Sequence, residues 1–264
     1  MCDNGKIESM RKYPSPNPNV RLDEITYWSC GLRIKGLLAR PTKHLENAQA
    51  LLYLRGGLQT IGMVRPARIA QFAQQGFVVF APYYRGNRGG EGRDEFAGAD
   101  RFDAVYGVDV LKQFINCKKV HVYGFSRGGL MAMWTAILRD DIASVVTWAG
   151  VSDTAATYWE RIDMRRGLRR IIGGTPNKVP ERYEDRTPLY DIDKVDAPLL
   201  IIHGTSDQHV DIEHAYQLEF CLQDEGKRVE TWYSFGLKHH YPPKLNRETV
   251  QALCNWMKKE ATSF

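Results

Sequence analysis

Five short, mostly apolar runs recur along this chain, at residues 50–54, 77–81, 119–123, 142–149 and 198–202, and stretches of helical periodicity separate them. A strand apolar at nearly every position, and not only at every second one, has to be covered on both faces. The intervening helical stretches are predicted at 64–75, 102–115, 127–139 and 211–223, with a last strand at 229–235 and a closing helix at 248–259. The first of these helices stops at Gly76, a residue suited to ending a helix because it adopts left-handed dihedrals without strain. Strand and helix in alternation give an α/β class: a mostly parallel central sheet with helices on both faces. In open sheets of this kind, chemistry collects at the carboxyl ends of the strands.

Two segments stand outside the rhythm. Residues 25–28 and 32–39, split by Cys30-Gly31, read as a hairpin, and residues 1–20 read as a loose arm that Pro14, Pro16 and Pro18 keep extended. Residues 21–264 then form a single domain, within which 152–190, rich in arginine and tyrosine, is a cap-like helical insertion over the sheet's active edge.

The strongest local feature is Gly124-Phe125-Ser126-Arg127-Gly128-Gly129, placed directly after one predicted strand and directly before a helix. A serine hydroxyl is a weak nucleophile unless a base can reach its proton. Exposing it on a sharp strand-to-helix turn forces unusual dihedrals and leaves room only for glycine on either side. A carboxylate and a histidine should follow, each after a later strand. Asp207 lies just past the apolar strand 198–202 and fits that order; its rivals are Asp153 and Asp211. After the last strand come two neighbouring histidines, His239 and His240, and one of them suffices to join Ser126 to Asp207. Acyl transfer also needs hydrogen-bond donors for an oxyanion. One is the backbone N–H of Arg127, and the other comes from Arg55-Gly56-Gly57-Leu58, as the N–H of Gly57 or of Leu58.

Taken together, these segments resemble the catalytic domain of the prolyl oligopeptidase family and its esterase-like and dienelactone-hydrolase-like relatives, all of α/β-hydrolase fold. The resemblance runs from Leu51 onward through Pro82-Tyr83-Tyr84-Arg85-Gly86-Asn87, the serine turn, Trp148-Ala149-Gly150-Val151-Ser152-Asp153, the 197–204 strand ahead of Asp207, and Gly236-x-x-His239. In that family the base lies three residues after a glycine, which implies His239. The resemblance implies a serine hydrolase, an esterase or serine-type peptidase, acting on an ester or short peptide without cofactor or metal. Larger members carry a β-propeller, and no propeller repeats occur in this sequence.

Other classes fit less well. The formal charge of +5 arises from 36 basic residues mixed among 31 acidic ones, without a basic run of the kind that binds nucleic acid. Five scattered cysteines, with no pair at metal-ligand spacing, suit reduced thiols. The polar, proline-rich first twenty residues and the shortness of every apolar run predict a cytoplasmic protein that does not enter a membrane. The same fold can also serve as a non-catalytic binding module or pass its acyl group to an acceptor other than water. Within the insertion, Tyr158, Trp159 and Arg165, together with Tyr84 near the oxyanion loop, are the candidates for substrate contact. An arginine such as Arg165 would hold a substrate carboxylate through two parallel hydrogen bonds.

Overall fold

The computed structural model describes residues 3–261. Its strands are β1 (Ile7–Tyr13), β2 (Val20–Ser29), β3 (Leu32–Pro41), β4 (Gln49–Leu54), β5 (Phe77–Pro82), β6 (Val120–Phe125), β7 (Ile142–Trp148), β8 (Leu199–Gly204) and β9 (Val229–Ser234). They form one sheet in the order β1-β2-β3-β5-β4-β6-β7-β8-β9. From β5 through β9 every pairing is parallel, whereas β1, β2, β3 and β5 pair antiparallel. The order reverses around β4, and β6 then leads outward.

Successive side chains of a strand point to opposite faces, so each uniformly apolar run feeds two cores. Leu51, Val79, Val146 and Leu200 face one side, where they meet Ile69 and Phe72 of α1 (Pro66–Ala73) and Leu253 and Met257 of α8 (Pro243–Ala261). Leu52, Phe80, Val145 and Leu199 face the other, against Val108 of α2 (Arg101–Lys112), Leu130 of α3 (Gly128–Ile137) and Leu218 of α7 (Glu213–Asp224). Between β7 and β8 the chain leaves the sheet for the insertion, with helices α4 (Thr154–Glu160), α5 (Arg165–Ile172) and α6 (Pro180–Glu184). The alternation of strand and helix predicted this α/β class, and the architecture is the α/β-hydrolase fold that the resemblance implied.

The N-terminal arm differs from its reading as a loose segment. Ile7–Tyr13 is a strand that pairs with β2, Met10 opposite Ile25 and Tyr13 opposite Leu22. An edge strand with both faces largely exposed shows no apolar run, so its pairing leaves little trace in the sequence. Pro14, Pro16 and Pro18 fall after it, in the turn before β2, where a missing N–H costs no ladder bond. The closing helix also begins earlier than expected, at Pro243, because proline fits a first helical position. Cys30, Cys117, Cys221 and Cys254 are free thiols, and Cys2 lies outside the described residues. Among the described residues no helix is long and apolar enough to cross a membrane.

One buried polar residue in β6 makes the fold sensitive to acid. His121 is packed edge-on against Phe77, and its Nδ1 lies 2.8 Å from Ser144 Oγ. Burial lowers its pKa from 6.5 to about 4. Between those values the unfolded chain takes up a proton that the folded chain refuses. The contribution of His121 is therefore fully present above pH 6.5 and is lost as the pH falls toward 4, by about 3 kcal/mol. Urea unfolding at pH 7 and pH 4.5 should show a loss on acidification that is about 2–3 kcal/mol smaller in His121→Asn than in wild type.

Candidate active site

β6 ends at Phe125 and α3 starts at Gly128, so Ser126 sits on the turn that joins them. Its φ is +55°, in the left-handed region that a residue with a Cβ rarely enters. Such a conformation costs about 1–3 kcal/mol and persists only where its surroundings enforce it. Here they do. Ser126 N–H donates to Trp148 O at 3.1 Å, and Ser126 O accepts from Gly129 at 2.8 Å and from Val151 at 3.0 Å. The flanking glycines are sterically required. A Cβ on Gly124 would lie 2.2 Å from Gly128 O, and one on Gly128 would lie 2.2 Å from Leu54 O. Gly56 also has no room, because its Cβ would meet Ser126 Cβ at 2.7 Å.

Three residues past β8, the Asp207 carboxylate is fully enclosed. One of its oxygens accepts from His239 Nδ1 at 2.7 Å, and the other from the N–H groups of His209 at 2.8 Å and Val210 at 3.1 Å. Burial alone would raise the carboxyl's pKa, but the His239 contact and the two backbone donors outweigh it and hold the group below the usual carboxylate range. With Nδ1 committed to Asp207, His239 keeps Nε2 for another partner. The His239 ring packs 4.9 Å from Phe125, the residue before the serine, and 5.1 Å from His209. Among the described residues no hydrogen bond joins Ser126 Oγ to an imidazole. In ligand-free enzymes such bonds are commonly long and tighten when substrate arrives. His240 stacks on Phe125 at 5.4 Å and is exposed, with no bond to Asp207. Partial burial, followed by repulsion from His239 and His209, pushes its pKa down.

The rival carboxylates have other work. Asp153 caps α4, accepting from Ala155 N at 2.6 Å and Ala156 N at 3.0 Å. Asp211 bonds Glu213 N at 3.0 Å, at the start of α7. No group of three or more His, Cys, Asp or Glu among the described residues is arranged to hold a metal ion.

Across the site from His239, the chain after β4 folds into a tight loop. Gly57 has a φ of +73°, and a Cβ there would sit 2.2 Å from Ile61 O. The N–H groups of Arg127, Gly57 and Leu58 have no acceptor among the described residues. Arg55 turns back beneath this loop, and its guanidinium donates to the carbonyls of Gly56, Gln59, Ile61 and Tyr83 at 2.9 to 3.2 Å. Tyr84 belongs to the same support and does not contact substrate space. It is wholly buried, and its hydroxyl donates to Arg55 O at 3.2 Å. Its one donor proton is committed to the protein, and its complete burial leaves the ring and hydroxyl no surface to offer a ligand.

The insertion also departs from expectation in detail. Tyr158 is buried against Tyr183 and Trp159. Arg165 donates to Tyr158 O at 2.9 Å and Trp159 O at 2.6 Å, so it closes the end of α4 and is not free to grip a carboxylate. Trp159 alone of the three is open, at 47% exposure, with Ile162 beside it at 75%. The α4–α5 corner bridges the two sides of the site. Arg161 bonds His209 O at 2.9 Å, and Glu160 Oε2 accepts from Asp211 N at 3.3 Å. On the other side, Gly167 of α5 packs against Leu58. Sequence reasoning missed Asp94 and Asp100, which accept from the Arg127 guanidinium, and the support that the Arg55 side chain gives the loop, because nothing in their spacing announces these contacts.

The sequence profile described as the prolyl oligopeptidase family matches residues 63–263. YtmA, an uncharacterized peptidase of Bacillus subtilis (strain 168), is 54% identical over 255 residues, which cover 96% of this chain and 99% of that protein. A second uncharacterized peptidase of that bacterium, YuxL, is 28% identical over 225 residues, 76% of this chain but only 32% of its own length. Among solved structures, the acylaminoacyl peptidase of Pyrococcus horikoshii superposes with a TM-score of 0.79 at 19% identity, over 92% of this chain and 42% of that one. The acetyl xylan esterase from Paenibacillus sp. R4 gives 0.74 at 14% identity, over 94% and 87%. These two likenesses speak to the fold. With the profile spanning most of its length and a near-full-length relative sharing over half of its residues, the chain belongs to the prolyl oligopeptidase family of α/β-hydrolases.

Proposed function

We propose that this protein is a serine hydrolase that cleaves ester or short-peptide acyl bonds through an acyl-enzyme on Ser126. The observation that carries the reading is the Asp207–His239 hydrogen bond of 2.7 Å beside a serine held at positive φ on a strand-to-helix turn. In this mechanism His239 Nε2 takes the hydroxyl proton as Ser126 Oγ bonds to the substrate carbonyl carbon. The Arg127 N–H, with one from Gly57 or Leu58, holds the oxyanion, and His239 returns the proton to the leaving alcohol or amine. Water then repeats the sequence on the acyl-enzyme and releases the acid. Asp207 stays ionised throughout; its role is to fix the imidazole tautomer and to offset the positive charge that His239 gains.

Asp207→Asn keeps the shape but reverses the preferred tautomer of His239, so kcat should fall by about 10⁴-fold with little change in KM. Steady-state kinetics on a nitrophenyl ester measure this. The reading as a whole is tested by a fluorophosphonate probe, which should attach to Ser126, and by comparing acyl esters of several chain lengths with short peptide amides. Folded protein that takes no label and hydrolyses no nitrophenyl ester would overturn it.

A further inference from the structure

We propose that the side chain of Arg127, clamped by Asp94 and Asp100, is a positioning residue that fixes both halves of the oxyanion hole at once. This inference rests on the reading of Ser126 as the nucleophile. Arg127 presents its backbone N–H at the serine turn, while its side chain runs the other way, into the protein, and is 1% exposed. There its guanidinium lies 5.2 Å from the ring centres of both Tyr84 and Phe96. Nη1 donates to Asp94, 2.7 Å from Oδ1 and 3.0 Å from Oδ2, and Nη2 donates to Asp100. The same Nη1 also donates to Gly57 O at 3.1 Å.

That last contact gives the network its consequence. The Gly57 carbonyl and the Leu58 N–H belong to one planar trans peptide, so they point in opposite directions. Fixing the carbonyl against the guanidinium turns the N–H of Leu58 away from it. The Gly57 N–H belongs to the preceding peptide, whose Gly56 carbonyl is held in the same manner by Arg55 Nη1 at 2.9 Å, so the two buried arginines set both N–H groups of the loop. Asp94 ties the loop a second time, accepting from Gln59 N at 3.1 Å. One guanidinium thus links the loop that supplies the second donor to the residue that carries the first.

Four charged groups, Arg55, Arg127, Asp94 and Asp100, lie buried together, and their formal charges cancel. Burying paired charges seldom stabilises a fold more than well-packed apolar residues would, but it imposes geometry that apolar packing does not. A site that depends on two donors being in register gains from that geometry. An oxyanion donor that is lost or displaced typically lowers turnover by about 10²–10³-fold.

The test compares wild type with Asp100→Asn, which keeps an acceptor in place without the charge, and with Arg127→Met, which removes the clamp. In both variants kcat on a nitrophenyl ester should fall by about 10²-fold with KM nearly constant, and the affinity of a boronic acid that mimics the tetrahedral state should fall in parallel. Amide hydrogen exchange across residues 56–62 should quicken at the same time. If Arg127→Met does not fold, Asp100→Asn carries the comparison. Unchanged exchange in that loop, or a rise in KM with kcat intact, overturns the proposal. If wild-type Ser126 takes no fluorophosphonate, the catalytic reading fails, while the exchange data still decide whether the clamp holds the loop.

Discussion

Ser126→Ala should lower kcat on a nitrophenyl ester by about 10⁶-fold and abolish fluorophosphonate labelling while leaving the folded state intact. The size of the effect follows from the division of labour. Nucleophile and base act as a unit, so removing either leaves only the rate that binding and oxyanion donors provide. The fold should tolerate the change because Ser126 is held by its backbone, through Trp148, Gly129 and Val151, and not by its hydroxyl. Steady-state kinetics with thermal melting on the same sample measure both. A variant that keeps a hundredth of wild-type activity would place the chemistry on another residue.

The second large effect separates two adjacent histidines. His239→Ala should cost about as much as losing the serine, roughly 10⁶-fold in kcat, whereas His240→Ala should change kcat by less than about 10-fold. Asp207 makes the difference, since its carboxylate accepts from His239 Nδ1 and leaves His240 exposed and stacked on Phe125. An imidazole without a partner on Nδ1 has neither a fixed tautomer nor compensation for the charge it acquires. Parallel kinetics of the two variants test the assignment, and equal losses would refute it.

The interior strands of the parallel half were legible because each is buried on both faces and therefore apolar at nearly every position, as in Phe77–Pro82 and Leu199–Gly204. The serine turn was legible for a different reason: its glycines are enforced by backbone atoms 2.2 Å from where a Cβ would stand, so steric need is written directly into residue type. The edge strand Ile7–Tyr13 was not, because its alternate residues face solvent on both sides. Roles that depend on rotamer and long-range packing were equally hidden. Tyr84 and Arg165 have the right chemistry for binding a ligand, and only the folded chain reveals that protein carbonyls already occupy them. The partners of Arg127 stand 33 and 27 residues away in sequence, a separation that no periodicity encodes.

The close approach of Gly56 to Ser126 has an implication for how such a molecule can diversify. Two backbones meet there with no side chain between them, so no change of rotamer can absorb an error, and substitutions at that seam meet hard-sphere repulsion. Trp159 and Ile162, by contrast, stand in the open on a separate helical excursion that the sheet does not need for its own pairing. Divergence in what is accepted can accumulate on that excursion while the bond-breaking floor stays frozen.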